Sequence, residues 1–311
     1  MTYNEKIIEK LSFPLLLISL PLTVMDVLLP MYTSALGLTP LQITGLFSVF
    51  SLGLLIMRLI TGYVTDKAGR KPVFVFGLLF YAFAYTFYSN AKTIPLIYTG
   101  RCLQAMASAF ISISAGSMIA DMNMKNNAHN FGKINSYSEK GGLLGVILCF
   151  LVLNTPELID GWSNLFRICA TAAVIAAIYS VIFLKETKII NNKKLSDITL
   201  PYKKNKVILF NLVFSVFVNI VSATFVLYLE SRFNSSLLEI GIAFLLPTVI
   251  IAFLSPKLGK ISDINGSTKA FVFSLSMLIV TLIILPFASN IYLYGIVWTI
   301  YCIAITLLDL T

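Results

Sequence analysis

Three ionisable side chains, Asp26, Arg101 and Glu139, lie inside long apolar segments of the sequence. A charged side chain at the centre of a membrane helix costs about 2.5–3.5 kcal/mol, so such residues are by default functional candidates. Asp26 lies ten residues before the end of its segment near Leu36, and Arg101 lies seven residues after the start of its own at Ile94. At about 1.5 Å per helical residue, their depths differ by only ~5 Å. We expect them to pair across a central cavity and, with Glu139, to carry or tune a proton. A purely structural ion pair, or an outward-snorkelling Arg101, is the alternative.

A second candidate site is a polar stretch between two apolar segments, with the sequence Gly62-Tyr63-Val64-Thr65-Asp66-Lys67-Ala68-Gly69-Arg70-Lys71. Gly62 allows close helix approach, and Gly69 permits a turn. Asp66 can accept hydrogen bonds at the start of a neighbouring helix, where the helix dipole favours a carboxylate. Arg70 can form a charge-assisted bond with Asp121, which ends a later segment. The simpler interpretation is a positively charged turn.

The same pattern recurs 197 positions later, from residue 62 to residue 259. The second copy contains Gly259, Asp263 and Gly266, in the positions of Gly62, Asp66 and Gly69. Upstream, Thr39 to Ile43 matches Ser236 to Ile240, and both stretches are capping boxes at a helix start. Ser267 and Thr268 replace the basic pair of the first copy, so we expect substitutions in the second copy to matter less.

Composition places the chain in a membrane. Of its 311 residues, 58% are hydrophobic and 12% are charged, with a mean hydropathy of +0.88. A soluble domain has about a quarter charged residues. The net charge of +9 resides in short connectors, which argues against nucleic-acid binding. The four cysteines lie in apolar segments without CxxC spacing and His129 is the only histidine, so no disulfide framework, metal or cofactor is expected. We interpret His129 as a plain loop residue.

The apolar segments predict an all-α polytopic membrane protein, because a helix of about 20 apolar residues crosses a bilayer. The first segment is too long for a cleaved signal peptide, and its prolines Pro14, Pro21 and Pro30 predict bends. Ten spans are expected, at about 11–36, 41–61, 72–90, 94–120, 133–154, 162–184, 207–229, 237–258, 270–288 and 291–311.

The distribution of Lys and Arg predicts the orientation. With a cytoplasmic N-terminus, seventeen of these residues fall on the cytoplasmic side and two, Lys92 and Arg232, on the outside. Of those within or near the spans, Lys140 is close enough to the cytoplasmic side to snorkel, and Arg167 can reach the outer headgroups. The lysine-rich connector divides the chain into 1–184, six spans; 185–206, a cytoplasmic loop; and 207–311, four spans.

The residues of the first polar stretch closely resemble the loop 2–3 signature of the major facilitator superfamily, G-x-x-x-D-[RK]-x-G-[RK]-[RK]. Gly100-Arg101-Cys102-Leu103-Gln104-Ala105 resembles the family's R-x-x-Q-G pattern, with Ala105 in place of glycine. That pattern is linked to proton transfer in proton-coupled members. Gly141 and Gly145 are similar to the start of an exporter pattern, G-x-x-x-G-P-x-x-G-G. Val146 replaces its proline, and Cys149-Phe150 replaces its glycine pair.

The resemblance implies two pseudo-repeat halves of six spans, a substrate site between them, and a signature loop that latches the cytoplasmic side. Only four spans of the second half are found, with Asp309 ending the tenth span as Asp121 ends the fourth, so we expect about two helices beyond Thr311. No HExxH, GxSxG or paired-histidine motif is present, so an enzyme is not expected.

We expect a monomeric carrier in the inner or plasma membrane that exports a small molecule by antiport with protons. An uptake symporter or facilitated carrier is the alternative within the class. A non-transporting membrane sensor or scaffold, or an inactive gene fragment, is the alternative outside it.

Overall fold

The computed structural model of the protein describes residues 3–122, 127–152, 158–187, 229, 231–233 and 237–311. These residues are mostly helical and contain no strand, which confirms the predicted all-α class. The first half contains α1 (Tyr3–Ile18), α2 (Leu22–Ala35), α3 (Pro40–Ala68), α4 (Arg70–Ser89), α5 (Ile94–Asp121), α6 (Asn127–Val152) and α7 (Leu158–Phe183). The second half contains α8 (Leu237–Asn265), α9 (Ser267–Ile284), a 3-10 turn (Leu285–Phe287) and α10 (Ile291–Asp309).

Within the described residues, seven helical stretches are long and apolar enough to cross a membrane. They are all or most of α3, α4, α5, α7, α8, α10, and α9 with its 3-10 turn. The first predicted span is divided between two shorter helices, and α6 is a 26-residue helix of lower hydropathy. The predicted span 207–229, its final residue apart, and most of the predicted loop 185–206 lie outside the described residues.

The division of the first span has a clear cause in Pro21. Proline has no N–H, so it cannot donate to the carbonyl of Leu17 as a helix requires. The N–H of Leu20 bonds to that carbonyl instead, at 3.4 Å, and the helix ends. The freed carbonyl of Ile18 accepts the hydroxyl of Tyr85 in α4, at 2.8 Å. Pro14 and Pro30, the other two predicted bends, lie inside helices, so neither produces a break like the one at Pro21.

The internal repeat extends to the helix boundaries. Helices α3 and α8 each have 29 residues and begin 197 positions apart, at Pro40 and Leu237. Helices α5 and α10 begin at the same offset, at Ile94 and Ile291. Asp121 ends α5 and Asp309 ends α10, as predicted, although the 197-residue offset aligns Asp309 with Ser112 rather than with Asp121. Of the two predicted capping boxes, that of Thr39 and Gln42 is present, and that of Ser236 lies outside the described residues.

Packing brings the two halves together mainly along one pair of helices. In the first half, α4 packs against α5 and α7, α3 packs against α5, and α1 and α2 pack against α6. In the second half, α10 packs against α8 and α9. Helix α6 runs along α8, and we call this contact the α6–α8 seam. The helix starts of α4 and α6 and the helix ends of α5, α8 and α10 lie at the end of the bundle that the lysine distribution assigns to the cytoplasm, called here the expected cytoplasmic end.

Candidate functional site

The signature residues form a joint between two helices rather than an extended loop. Helix α3 continues through Ala68 and α4 begins at Arg70, so Gly69 alone connects them. The prediction ended the span at residue 61 because polar residues begin there, but the helix continues beyond its apolar part. Gly69 has φ of +109°, which side-chain-bearing residues rarely adopt. A β-carbon at this position would also meet the carboxylate of Glu186.

Arg70 connects the joint to the end of α5. Its Nε donates to Oδ2 of Asp121 at 2.8 Å, which is the contact expected from the sequence. Its Nη1 donates to the carbonyl of Thr65 at 3.2 Å and lies 3.2 Å from Oδ1 of Asp66. The hydroxyl of Thr187 also donates to Oδ2 of Asp121, at 3.3 Å. These bonds join helices of the first half to one another.

Glu186 completes this cluster, and the sequence analysis did not identify it. Its carboxylate accepts the backbone N–H of Arg70 at 3.0 Å and that of Lys71 at 3.2 Å. The first N–H groups of a helix lack intrahelical partners, and the helix dipole favours a negative charge there. The ammonium of Lys71 donates to the carbonyl of Val181 at the end of α7, at 2.8 Å. The start of α4 is therefore fixed to the segment that follows α7.

Two expectations about the first joint are wrong for the described residues. No described residue lies within 4 Å of a β-carbon built on Gly62, so none of the described helices approaches closely there. The side chain of Asp66 is 65% exposed, and it forms an ion pair with Arg70, one turn on in sequence, rather than bonding to the start of a neighbouring helix. The role that the sequence assigned to Asp66 belongs to its counterpart in the repeat.

Asp263, the counterpart of Asp66, connects the two halves. Its Oδ1 accepts the backbone N–H of Ala128 at 3.2 Å, and its Oδ2 accepts that of His129 at 2.9 Å. Both donors belong to the first turn of α6. Each carboxylate oxygen accepts one backbone N–H at a helix start. The interaction is therefore strengthened both by the charge-assisted bonds and by the helix dipole. The expectation that substitutions in the second copy matter less stays a prediction, and these contacts across the seam argue against it.

Two glycines allow the helices of the seam to touch through their backbones. A β-carbon on Gly259 would collide with the carbonyl of Ala128, and one on Gly132 would collide with the backbone of Ser255 and Pro256. Each helix thus contributes one glycine at the crossing, as in close membrane-helix packing. Gly266, which has φ of +86°, forms the turn from α8 to α9, as Gly69 does between α3 and α4.

Polar bonds follow the same crossing. His129 lies in α6 and not in a loop, and its Nδ1 donates to the carbonyl of Pro256 at 2.8 Å, because a carbonyl can only accept. Asn135 donates to the hydroxyl of Ser255 at 3.1 Å, and the hydroxyl of Ser136 donates to the carbonyl of Ala252. The sequence offered one signal for these contacts, the small and hydroxyl-bearing residues spaced along α6 and α8.

Arg101 is buried within the first half. Its side chain is only 4% exposed, and its Nη1 donates to Oε1 of Gln104 at 2.8 Å. The same oxygen accepts the hydroxyl of Tyr88 at 3.0 Å. The guanidinium carbon lies 4.9 Å from the ring centroids of both Phe47 and Phe50, within the range of cation–π attraction. Arg101 does not snorkel outward.

The other predicted membrane charges are only partly described. Asp26 lies in α2 by its backbone, but its side chain lies outside the described set, so its pairing with Arg101 stays a prediction. Glu139 and Lys140 are half-buried near the middle of α6. Lys140 does not reach the helix end, because its ammonium lies 4.9 Å from the ring of Tyr137 and 5.4 Å from that of Phe253 across the seam.

Two glycines of the exporter-like pattern, Gly141 and Gly145, allow α6 to pack closely against the break in the first predicted span. A β-carbon on Gly141 would collide with the carbonyl of Leu16, and one on Gly145 would collide with the carbonyl of Leu20. These carbonyls lie at and just before the break between α1 and α2. The pair therefore lets α6 pack against that break, while Gly132 serves the seam with α8.

The described helices, their repeat and the seam define a polytopic membrane protein of two related halves. The sequence profile of the Major Facilitator Superfamily matches residues 11–308, so the chain belongs to this superfamily. An MFS-type transporter, MJ1560 of Methanocaldococcus jannaschii, is 24% identical over 256 residues, covering 79% of this chain and 65% of that protein. The multidrug resistance protein MdtL of Escherichia coli is 30% identical over 162 residues, covering 51% of this chain and 40% of that protein.

Solved structures show the same fold. The human organic anion transporter MFSD10 superposes with a TM-score of 0.72 at 16% identity, covering 100% of this chain and 86% of that one. The proton:xylose symporter XylE superposes with a TM-score of 0.72 at 12% identity, covering 98% and 79%. The predicted family and fold are confirmed, and the family is one of transporters rather than enzymes. The chain spans less than two thirds of the length of the curated relatives named above.

Proposed function

We propose that the protein moves a small solute across the inner or plasma membrane by alternating access, in the form of proton-coupled efflux. The observation that carries this proposal is the α6–α8 seam, where two repeat-related halves meet through hydrogen bonds to a carboxylate. Alternating access needs two packings of similar energy between such halves. Polar bonds at the expected cytoplasmic end, such as those of Asp263, can exchange with water when the halves separate.

Export is favoured by the likeness to MdtL, whose name records multidrug resistance. Proton coupling is favoured by the charges placed within spans, which are Asp26, Arg101 and Glu139. Uptake by proton symport is the second candidate, since XylE is a proton:xylose symporter with the same fold.

Transport in membrane vesicles separates these candidates. In inverted vesicles energised by a proton gradient, we expect the protein to accumulate labelled benzoate, and an uncoupler should abolish the accumulation. Asp26→Asn should abolish the gradient-driven accumulation and leave benzoate exchange between the two sides largely intact. Gradient-driven accumulation of xylose in right-side-out vesicles, without benzoate transport, would contradict efflux and support the symporter. Normal uphill transport by Asp26→Asn would remove Asp26 from the mechanism.

The orientation is part of the proposal. The lysine distribution favours a cytoplasmic location for the N-terminus, the connector 185–206 and the start of α6. A cysteine in place of Ser196 should react with an impermeant maleimide only from the cytoplasmic side, and a cysteine in place of Asn90 only from outside. Labelling from the opposite sides would reverse the topology.

A further inference from the structure

The environment of Arg101 is incomplete on one edge of its guanidinium. No other lysine or arginine of the described part of the chain is as deeply buried. Its Nη1 is bonded to Gln104, but its Nε is buried and has no hydrogen-bond acceptor among the described residues. No carboxylate of the described side chains lies within 4.0 Å of it either. The two phenyl rings beside it attract a cation, but they supply no negative charge.

The chemistry that completes this environment is that of a carboxylate. A carboxylate supplies both the missing charge and two coplanar oxygens, which match the fork formed by Nε and its neighbouring nitrogen. A neutral amide or hydroxyl supplies an acceptor without the charge. Phe50 is half-buried, so an apolar body attached to the carboxylate has an aromatic face to pack against.

We propose that Arg101 is the anchor for the carboxylate of an organic-anion substrate whose apolar part packs against Phe47 and Phe50. This inference rests on the proposed transport function and names its substrate class. In the described conformation, Nε is shielded from solvent, so the anion enters in another conformation, in which this edge of Arg101 is open. Binding then favours the open state over the closed state, because only the open state holds the anion. Asp26 is the second source of a carboxylate, and the test distinguishes the two.

The experiment measures binding of benzoate to the purified protein in nanodiscs by isothermal titration calorimetry, with neutral benzamide as the matched ligand. We expect saturable binding of benzoate and at least tenfold weaker binding of benzamide. Arg101→Gln should weaken benzoate binding at least tenfold, and Arg101→Lys, which keeps the charge but lacks Nε, several-fold. Arg167→Gln removes an exposed arginine of α7 and should bind benzoate as the unsubstituted protein does. Thermal unfolding of each variant checks folding, and Arg101→Lys serves if Arg101→Gln fails to fold.

Each outcome decides the proposal. Benzoate binding that depends on Arg101 and persists in Asp26→Asn supports a substrate anion. Binding that appears only in Asp26→Asn overturns it, because Asp26 would then be the resident partner. Equal binding by the unsubstituted protein and Arg101→Lys, or no binding to either the unsubstituted protein or Asp26→Asn, also overturns it. The binding assay does not depend on transport. If benzoate binds but vesicles show no transport, the proposed function is refuted while the proposed binding site at Arg101 still stands.

Discussion

The two helix joints of the repeat have the same backbone and different tasks. At each, a single glycine with positive φ connects a 29-residue helix to the next one. The first joint carries Arg70 and Lys71, and its described bonds all stay within the first half. The second has Ser267 and Thr268 in place of that pair, and its Asp263 reaches the start of α6 across the seam. The two copies of the repeat therefore share the turn, but their carboxylates bond to different parts of the molecule.

The largest expected difference between the joints concerns the glycine that begins each copy of the repeated stretch, Gly62 in the first and Gly259 in the second. Gly259→Ala would place a methyl group against the backbone of α6, and overpacking of this kind costs about 1–3 kcal/mol. Gly62→Ala meets no described neighbour, and alanine is favoured over glycine in a helix by about 1 kcal/mol. Thermal unfolding in detergent should show Gly259→Ala destabilised and Gly62→Ala unchanged or more stable. Equal destabilisation of both would show that a helix also packs closely against Gly62.

Loss of Arg70 tests whether the first joint acts only within its own half. Arg70→Ala leaves Asp121, which is largely buried, without its guanidinium, and loss of a charge-assisted bond costs about 1.5–3 kcal/mol. We expect a lower unfolding temperature and slower transport, with no change in which solute binds. We also expect no change in the accessibility of a cysteine placed in the seam. A more accessible seam in this variant would mean that the first joint also latches the two halves.

A smaller effect is expected at Glu186. Glu186→Gln keeps an acceptor oxygen but removes the negative charge at the start of α4, which contributes about 0.3–1 kcal/mol. Hydrogen exchange of the first turn of α4 should increase, and that of the first turn of α6 should stay as it is. Increased exchange at α6 instead would connect Glu186 to the seam.

Much of the fold was accessible from the sequence, because hydropathy is a local pattern and the repeat appears at one constant offset. The contact of Arg70 with Asp121 was also predictable, since Arg70 begins one segment and Asp121 ends another on the same expected side. Helix ends were less accurate, because hydropathy finds the membrane-embedded part of a helix and not its polar extension. This is why the prediction placed Gly62 to Ala68 in a loop and His129 in the connector between the fourth and fifth predicted spans.

The tasks of Asp263, Glu186 and His129 were not predictable from their own neighbourhoods. Each bonds to backbone groups of a segment far away in the sequence, and backbone donors and carbonyls leave no residue-type signature. The packing of Gly132 and Gly259 has the same origin, because a glycine that touches a distant backbone looks in the sequence like any other helical glycine.

The most direct test of the account measures how fast the seam opens when each repeated carboxylate is neutralised. In a variant without the four native cysteines, Ser255→Cys places a thiol in the buried crossing of α6 and α8. Losing charge-assisted bonds of about 1.5–3 kcal/mol shifts a two-state equilibrium roughly ten- to a hundred-fold. Asp263→Asn should therefore speed maleimide labelling from the cytoplasmic side by that factor, and Asp66→Asn should leave the rate unchanged. Equal labelling rates for Asp263→Asn and the unsubstituted carboxylate, or faster labelling with Asp66→Asn, would contradict the assignment of the latch to the second joint.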